Sequence, residues 1–326
     1  MIKYNIGDYM IINILLLIVG FIALIKGADL FVDGASSTAI NFKVSKMLIG
    51  LTIIAFGTSS PEFAVSIQAL AKHSTDMVLG NVIGSNILNI LLILGVAATI
   101  KPIKITENTI KKELPLCMMI STLLVVLFLD IKLASGTVNE ITRSDAIVIL
   151  MFFSIFLYYL TSLAKEKKEK KEEELPKYKL TTSLILVVIG LAGIILGSDL
   201  VVNNAKAIAT ILGLSERIIA ITIIALGTSL PELVTTIVSS KKGEQELLIG
   251  NIIGSNIFNT CVVLGIPVAI FGTITPTSFN YIDLIALVLS SFILFIFATT
   301  KRTITRIEGI LLLIGFITYY TLVFVI

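Results

Sequence analysis

Apolar runs of about 20 residues follow one another along most of this chain, each long enough to cross a bilayer core of about 30 Å as a helix. Ten can be drawn. Before a central charged run they cover 9–38, 46–71, 78–100, 112–130 and 144–163; after it they cover 181–210, 216–239, 245–271, 281–299 and 307–325. Hydrophobic residues make up 56% of the 326, and charged residues only 14%. A soluble domain of this size could not hide so much apolar surface. The chain is therefore read as an all-α polytopic membrane protein. The first run continues into Lys26 and Asp29 without a small-residue cleavage site, so it is read as a retained helix.

Between the two sets of runs lies Lys165-Glu-Lys-Lys-Glu-Lys-Lys-Glu-Glu-Glu174. This stretch is too polar for a membrane and too short for a domain, and reads as a solvated linker. The expected organisation is a first unit at 1–163, a linker at 164–180 and a second unit at 181–326. Positive charge orients it. With the N-terminus outside, the inner segments hold Lys43, Lys46, Lys101, Lys104, Lys111, Lys112, seven linker lysines, Lys241, Lys242, Lys301, Arg302 and Arg306. The outer segments hold only Lys3, Lys72, Lys132, Arg143 and Arg217. That asymmetry places both ends outside and the linker in the cytoplasm.

The two units are copies. The stretch 48–100 returns at 218–270 at a constant offset of 170 residues. Ala55-Phe-Gly-Thr-Ser-Ser-Pro-Glu62 matches Ala225-Leu-Gly-Thr-Ser-Leu-Pro-Glu232, and Gly80-Asn-Val-Ile-Gly-Ser-Asn-Ile-Leu-Asn89 matches Gly250-Asn-Ile-Ile-Gly-Ser-Asn-Ile-Phe-Asn259. Five spans per copy is an odd number, so the copies must enter the membrane in opposite directions. The expected architecture is ten transmembrane helices as two inverted-topology repeats of five. In such proteins the binding site lies where the repeats meet, near the midplane.

Glu62 and Glu232 fall deep inside apolar runs. A carboxylate there is costly and marks a functional site by default. Two at equivalent positions would approach across a pseudo-two-fold axis, either to share a proton or to hold a cation. Thr58 and Ser59 precede Glu62 on the same helix face, as Thr228 and Ser229 precede Glu232. Pro61 and Pro231 have no N–H and should break the helix there. The carbonyls from Ala55 to Thr58, and those from Ala225, would then lose partners and become ligands. Ser85 and Asn89 stand one helical turn apart, as do Ser255 and Asn259. They offer neutral oxygens, or serve as polar glue between helices. The whole set is oxygen, which suits hard cations such as Ca²⁺ and Na⁺; Mg²⁺ is disfavoured because it dehydrates reluctantly. Cys117 and Cys261 lie in apolar runs and read as small hydrophobes, and His73 sits in a polar loop.

These motifs resemble the two α-repeats of the Ca²⁺/cation antiporter superfamily. The Gly-Thr-Ser-x-Pro-Glu form is similar to its sodium/calcium exchanger branch, in particular the compact prokaryotic members. Proton-coupled relatives usually carry a Gly-Asn-x-x-Glu version instead. The resemblance implies a plasma-membrane antiporter that exchanges Na⁺ for Ca²⁺ by alternating access and extrudes Ca²⁺. It implies that Glu62 and Glu232, with the carbonyls of Thr58 and Thr228, hold Ca²⁺. Sodium sites would add Ser59, Ser229, Ser85, Ser255 and the backbone at Ala55 and Ala225, with Asn89 and Asn259 lining the centre. An Asp at the position of Asn259 is typical of K⁺-dependent relatives, and its absence argues against K⁺ co-transport. The first and sixth spans resemble the family's long sliding helices; Asp29 and Asp199 are read as tethers on them, with Lys26 a local partner for Asp29.

Two other readings stay open: H⁺/Ca²⁺ exchange through the same acids, and, more distantly, a cation channel, which the inverted repeat argues against. An intramembrane hydrolase lacks a Ser/His pair or a His–Glu metal motif, so no enzyme is expected. Nor does the chain call for a cofactor, a nucleic acid or an obligatory protein partner; the expected partners are the bilayer and the transported ions.

Overall fold

The computed structural model describes residues 6–133, 137–165, 175–213, 225–276 and 280–325. Lys3, Arg217 and most of the linker lysines lie outside the described residues, as does the start of the seventh expected span. The helices are α1 (Ile6–Asn41), α2 (Lys46–Thr58), α3 (Ser60–Ala71), α4 (Thr75–Ile100), α5 (Leu114–Phe128) and α6 (Arg143–Lys165). After the linker come α7 (Leu180–Ile211), α8 (Ala225–Thr228), α9 (Leu230–Lys242), α10 (Gln245–Phe271), α11 (Tyr281–Lys301) and α12 (Arg306–Val325). Two short strands, β1 (Ile103–Lys104) and β2 (Thr303–Ile304), pair antiparallel, Ile103 opposite Ile304.

Seven of the described helices are long and apolar enough to cross a membrane, or eight if α2 and α3 count as one bent span. The fourth expected span, 112–130, falls on α5, which has 15 residues and continues without a break from a π-helical turn at Thr109–Glu113. Pro115 stands at the second position of α5, where that turn gives way to regular α-helix.

Burial sorts the helices into layers. Of the most apolar window of α10, 89% is buried, against 11% for α12. α4 and α10 form the centre, because most of their leucines, isoleucines and valines are buried. α1, α6, α7, α11 and α12 carry exposed isoleucines, leucines and phenylalanines, which in a bilayer face lipid.

α1 and α7 pack along each other through small residues spaced by seven. A Cβ on Gly34 would lie 2.8 Å from the Ser183 carbonyl oxygen, one on Gly27 2.9 Å from that of Gly190, and one on Gly20 3.0 Å from that of Gly197. As one residue number falls the other rises, so these two equivalent helices run antiparallel. With no side chains between them the backbones can approach closely, which is how helices gain contact where lipid removes the hydrophobic drive. α2 crosses α10 in the same manner: a Cβ on Gly250 would lie 2.9 Å from the Gly50 Cα.

One tether differs from expectation. Asp29 pairs with Lys242 at the end of α9, at 2.8 Å, and not with Lys26. Lys242 also meets Asp33 at 2.5 Å, and Lys177 reaches the other Asp33 oxygen at 2.6 Å. Lys46 pairs with Glu244 at 3.0 Å, and Ser36 donates to the same carboxylate at 2.8 Å. A lysine three residues before its acid on the same helix must share one face with that acid and with lipid. Lys242 arrives from another helix and serves two acids of α1 at once. These pairs are partly exposed, so Lys242→Met is expected to cost about 1 kcal/mol of thermal stability in low salt, a difference that shrinks in molar salt. Thermal melts of purified protein at two salt concentrations check it; a loss that salt leaves unchanged would indicate packing, not charge.

Candidate functional site

The bend between α2 and α3 is 45°. Its cause is local. Pro61 stands in the first turn of α3, and Ser59 between the helices takes φ −85° and ψ 6°. The second copy repeats this: Pro231 opens α9, and Ser229 takes φ −89° and ψ 6°. Proline lacks the N–H that would bond to the residue four before it, so Gly57 and Gly227 lose that donor. This differs in part from the expectation that every carbonyl of the turn is freed. The Ala55 carbonyl accepts the Ser59 N–H at 3.0 Å, and the Ser60 hydroxyl covers the Phe56 carbonyl at 2.8 Å.

The break puts Glu62 and Glu232 into the first turns of α3 and α9. A helix start presents unbonded N–H groups and a partial positive charge, which eases burial of an acid. Both acids are buried, Glu62 at 0% and Glu232 at 1% exposure. The bonding then crosses between copies. Ser59 donates to Glu232 Oε1 at 2.9 Å. Reciprocally, Glu62 lies in the field of Glu232 and faces the hydroxyls of Thr228 and Ser229 without completing a hydrogen bond. Both Glu62 oxygens and Glu232 Oε2 remain without a partner among the described residues.

The other expected residues lie on the broken helices and on α4 and α10. Ser229 and Ser85 hydroxyls stand 3.5 Å apart, joining the acid-bearing break to α4. The Thr58 hydroxyl lies 3.1 Å from both Ile54 O and Asn251 Oδ1, which compete for its one proton, and Ser255 donates to the same Asn251 oxygen at 3.4 Å. Asn89 and Asn259 each begin a π-helical turn, Asn89–Leu94 and Asn259–Leu264. Among the described residues Asn89 Oδ1 has no partner, and neither amide atom of Asn259 has one. Ala55 is buried at the end of the α2 run, and Ala225 opens α8. All twelve residues thus lie on the broken helices and on α4 and α10. Among the described residues no third acid, histidine or cysteine joins the two glutamates as a metal-ligating group.

Sequence reasoning passed over four asparagines that frame the site. Asn81 donates to the Glu62 carbonyl oxygen and to Ser66, each at 3.0 Å. Its counterpart Asn251 donates to Thr236, the counterpart of Ser66, at 3.3 Å. Asn86 and Asn256 exchange bonds across the crossing of α4 and α10, each amide nitrogen 3.3 Å from the other's backbone oxygen. The signal was available: all four stand inside the repeated decapeptides, as Ser85 and Asn89 do.

Two buried carboxylates with three unpartnered oxygens are costly as an empty arrangement. A cation with one or two charges offsets that cost, and so does a proton. The hydroxyls and amides around the acids add only neutral oxygens, the donor set of a hard cation.

Comparison with known proteins gives the family. The family described as "Sodium/calcium exchanger protein" matches residues 12–162 and 182–325. The chain is similar to the "Sodium/calcium exchanger MaX1" of Methanosarcina acetivorans, 30% identical over 96% of this chain and 99% of that protein. It is also similar to the "Inner membrane protein YrbG" of Escherichia coli, 34% identical over 97% and 98%. A solved structure of the sodium-calcium exchanger NCX_Mj, soaked with 10 mM Na⁺ and zero Ca²⁺, superposes with a TM-score of 0.83 at 32% identity, covering 96% of this chain and 99% of that one. With its two motif copies, its paired acids and a family match across both halves, this multi-pass membrane protein belongs to the sodium/calcium exchanger family.

Proposed function

We propose that this protein is a secondary antiporter that exchanges Na⁺ for Ca²⁺ across a prokaryotic plasma membrane and uses inward Na⁺ movement to extrude Ca²⁺. The observation that carries the reading is the pair Glu62 and Glu232, both buried, with three oxygens lacking partners. Two negative charges neutralise one Ca²⁺, or Na⁺ ions in its place, so the two ions compete for one set of ligands. Glu62, Glu232 and the carbonyls of Thr58 and Thr228 hold Ca²⁺. Ser59, Ser229, Ser85, Ser255 and the backbone at Ala55 and Ala225 complete the Na⁺ sites, and Asn89 and Asn259 line the centre. Coupling follows from competition: a neutralised site can cross between access states, while an empty one with two buried charges crosses slowly.

In this reading the chain has ten spans in two inverted five-helix repeats, 1–163 and 181–326, joined by a cytoplasmic linker, with both termini outside. The antiparallel course of α1 and α7, equivalent helices of the two copies, supports the inversion, and the distribution of Lys and Arg supports the orientation.

The test is ⁴⁵Ca²⁺ uptake into proteoliposomes loaded with Na⁺ and diluted into choline medium at fixed pH. Uptake that collapses when internal Na⁺ is replaced by choline is the expected result. Uptake indifferent to Na⁺ but driven by a pH gradient would assign the same acids to H⁺/Ca²⁺ exchange. Flux with no counter-ion gradient would make the protein a channel.

A further inference from the structure

We infer that Asn256 is a positioning residue for Asn89, turning the Asn89 amide so that its oxygen faces the ion site. The inference rests on the exchanger reading above, and it begins with a group whose role is unambiguous. A backbone carbonyl can only accept. Asn256 lies 3.3 Å from the Asn86 carbonyl oxygen, so it must present its Nδ2 there. Its Oδ1 therefore points the other way, 2.9 Å from the Asn89 amide nitrogen. Asn89 must give that bond its Nδ2, which leaves its Oδ1 buried and without a partner. The Asn89 N–H bonds back to the Ser85 carbonyl, so Asn89 stands one turn from Ser85, whose hydroxyl meets Ser229 beside Glu232. A carbonyl-type oxygen is thereby left to accept, with no proton to give, while the Nδ2 beside it is committed to Asn256.

The second copy lacks this device, and the sequence says why. The equivalent bond would run from Asn259 Nδ2 to Asn86 Oδ1, and both of those atoms are unpartnered. Asn86 gives its amide nitrogen to the Asn256 carbonyl at 3.3 Å and also to the Thr260 hydroxyl at 2.8 Å, a second pull on the amide that Asn256 does not have. The residue of the first copy that answers to Thr260 is Ile90, which has no hydroxyl to offer. The two central amides are therefore inequivalent by sequence: Asn89 is a fixed oxygen, and Asn259 is free to rotate. Without the Asn256 acceptor, Asn89 could turn its Nδ2, a donor with partial positive charge, toward a cation. Residues that orient a ligand in this way commonly matter about tenfold or more in metal affinity.

The experiment measures ⁴⁵Ca²⁺ binding to purified protein, and both the half-saturation and the maximal rate of exchange in proteoliposomes. Asn256→Ala is expected to weaken Ca²⁺ binding and raise half-saturation about tenfold, with the maximal rate little changed. Asn86→Ala removes a buried amide from the same crossing but keeps the backbone carbonyl that orients Asn256; its affinity should stay within about threefold of wild type. Equal losses in the two variants would mean that both merely pack the crossing, and would overturn the inference. If Asn256→Ala does not fold, Asn256→Ser decides, because its hydroxyl can still donate toward the Asn86 carbonyl but is too short to offer Asn89 an acceptor. A loss as deep as that of Asn89→Ala in that variant supports the inference, and affinity within about threefold of wild type overturns it. Binding is read without transport, so failure of Na⁺ coupling would sink the exchanger reading and leave this comparison standing.

Discussion

Glu62→Gln is expected to abolish Na⁺-driven Ca²⁺ uptake while leaving a folded protein. The substitution keeps shape and removes one of the two charges that hold the ion in the proposed exchanger. Two unit charges about 4 Å apart at an effective dielectric of about 20 attract by about 4 kcal/mol, roughly a thousandfold in affinity. A divalent ion loses more than a monovalent one, so Ca²⁺ binding should fall further than Na⁺ binding. The same variant should melt at a higher temperature than wild type in ion-free buffer. Both Glu62 oxygens lack hydrogen-bond partners and lie beside Glu232, so the empty site carries repulsion and an unpaid desolvation cost that an amide does not. The two measurements, ⁴⁵Ca²⁺ uptake and thermal melting, separate the outcomes. Uptake at the wild-type level would remove Glu62 from the site; loss of both uptake and thermal stability would mean a misfolded protein.

The second large effect is expected in the helix pair that the fold holds closest together. Gly190→Ala places a Cβ 2.5 Å from the Phe31 backbone nitrogen and 2.7 Å from its Cα. Backbone cannot rotate aside as a side chain can, so α1 and α7 must move apart. Overpacking of this kind costs about 1–3 kcal/mol. Because α1 and α7 meet at backbone distance through these glycines, exchange should fall with stability, by about tenfold where the cost is about 1.4 kcal/mol. A graded series tests the geometry. Gly193→Ala meets its nearest atom, the Gly27 Cα, at 3.1 Å and should be milder. Gly315→Ala meets only Leu91 Cδ2 at 3.6 Å and should be silent. Melting temperature and initial exchange rate that follow this order support backbone contact as the cause. Equal effects at all three positions would point to helix flexibility instead.

Much of the site was legible because the chain says it twice. Glu62 and Glu232, Thr58 and Thr228, Ser59 and Ser229, and Ser85 and Ser255 were identifiable as polar residues at one offset inside apolar runs, where polarity is costly enough to need a reason. The break at Pro61 and Pro231 was legible for a local reason, since a missing N–H acts within one turn. The reach of that break was overstated, because hydroxyls and N–H groups one residue away re-cover some of the carbonyls. The π-helical turns that begin at Asn89 and Asn259 were invisible, because hydrophobic spacing reports a face and not the register of the backbone bonds beneath it.

What the sequence by itself determined is the membrane class, the duplication, the identity of the two buried acids and the positions where their helices break. Each of these follows from composition, from repetition or from chemistry within one turn. What only the tertiary structure decided is who meets whom. Ser59 of one copy serves Glu232 of the other, Lys242 and not Lys26 holds Asp29, and Asn256 sets Asn89 while Asn86 leaves Asn259 free. The reason is physical: helix periodicity assigns a side chain to a face, but its partner is chosen by how two helices cross, and that depends on small residues at 20, 27 and 34 meeting those at 183, 190 and 197 at backbone distance.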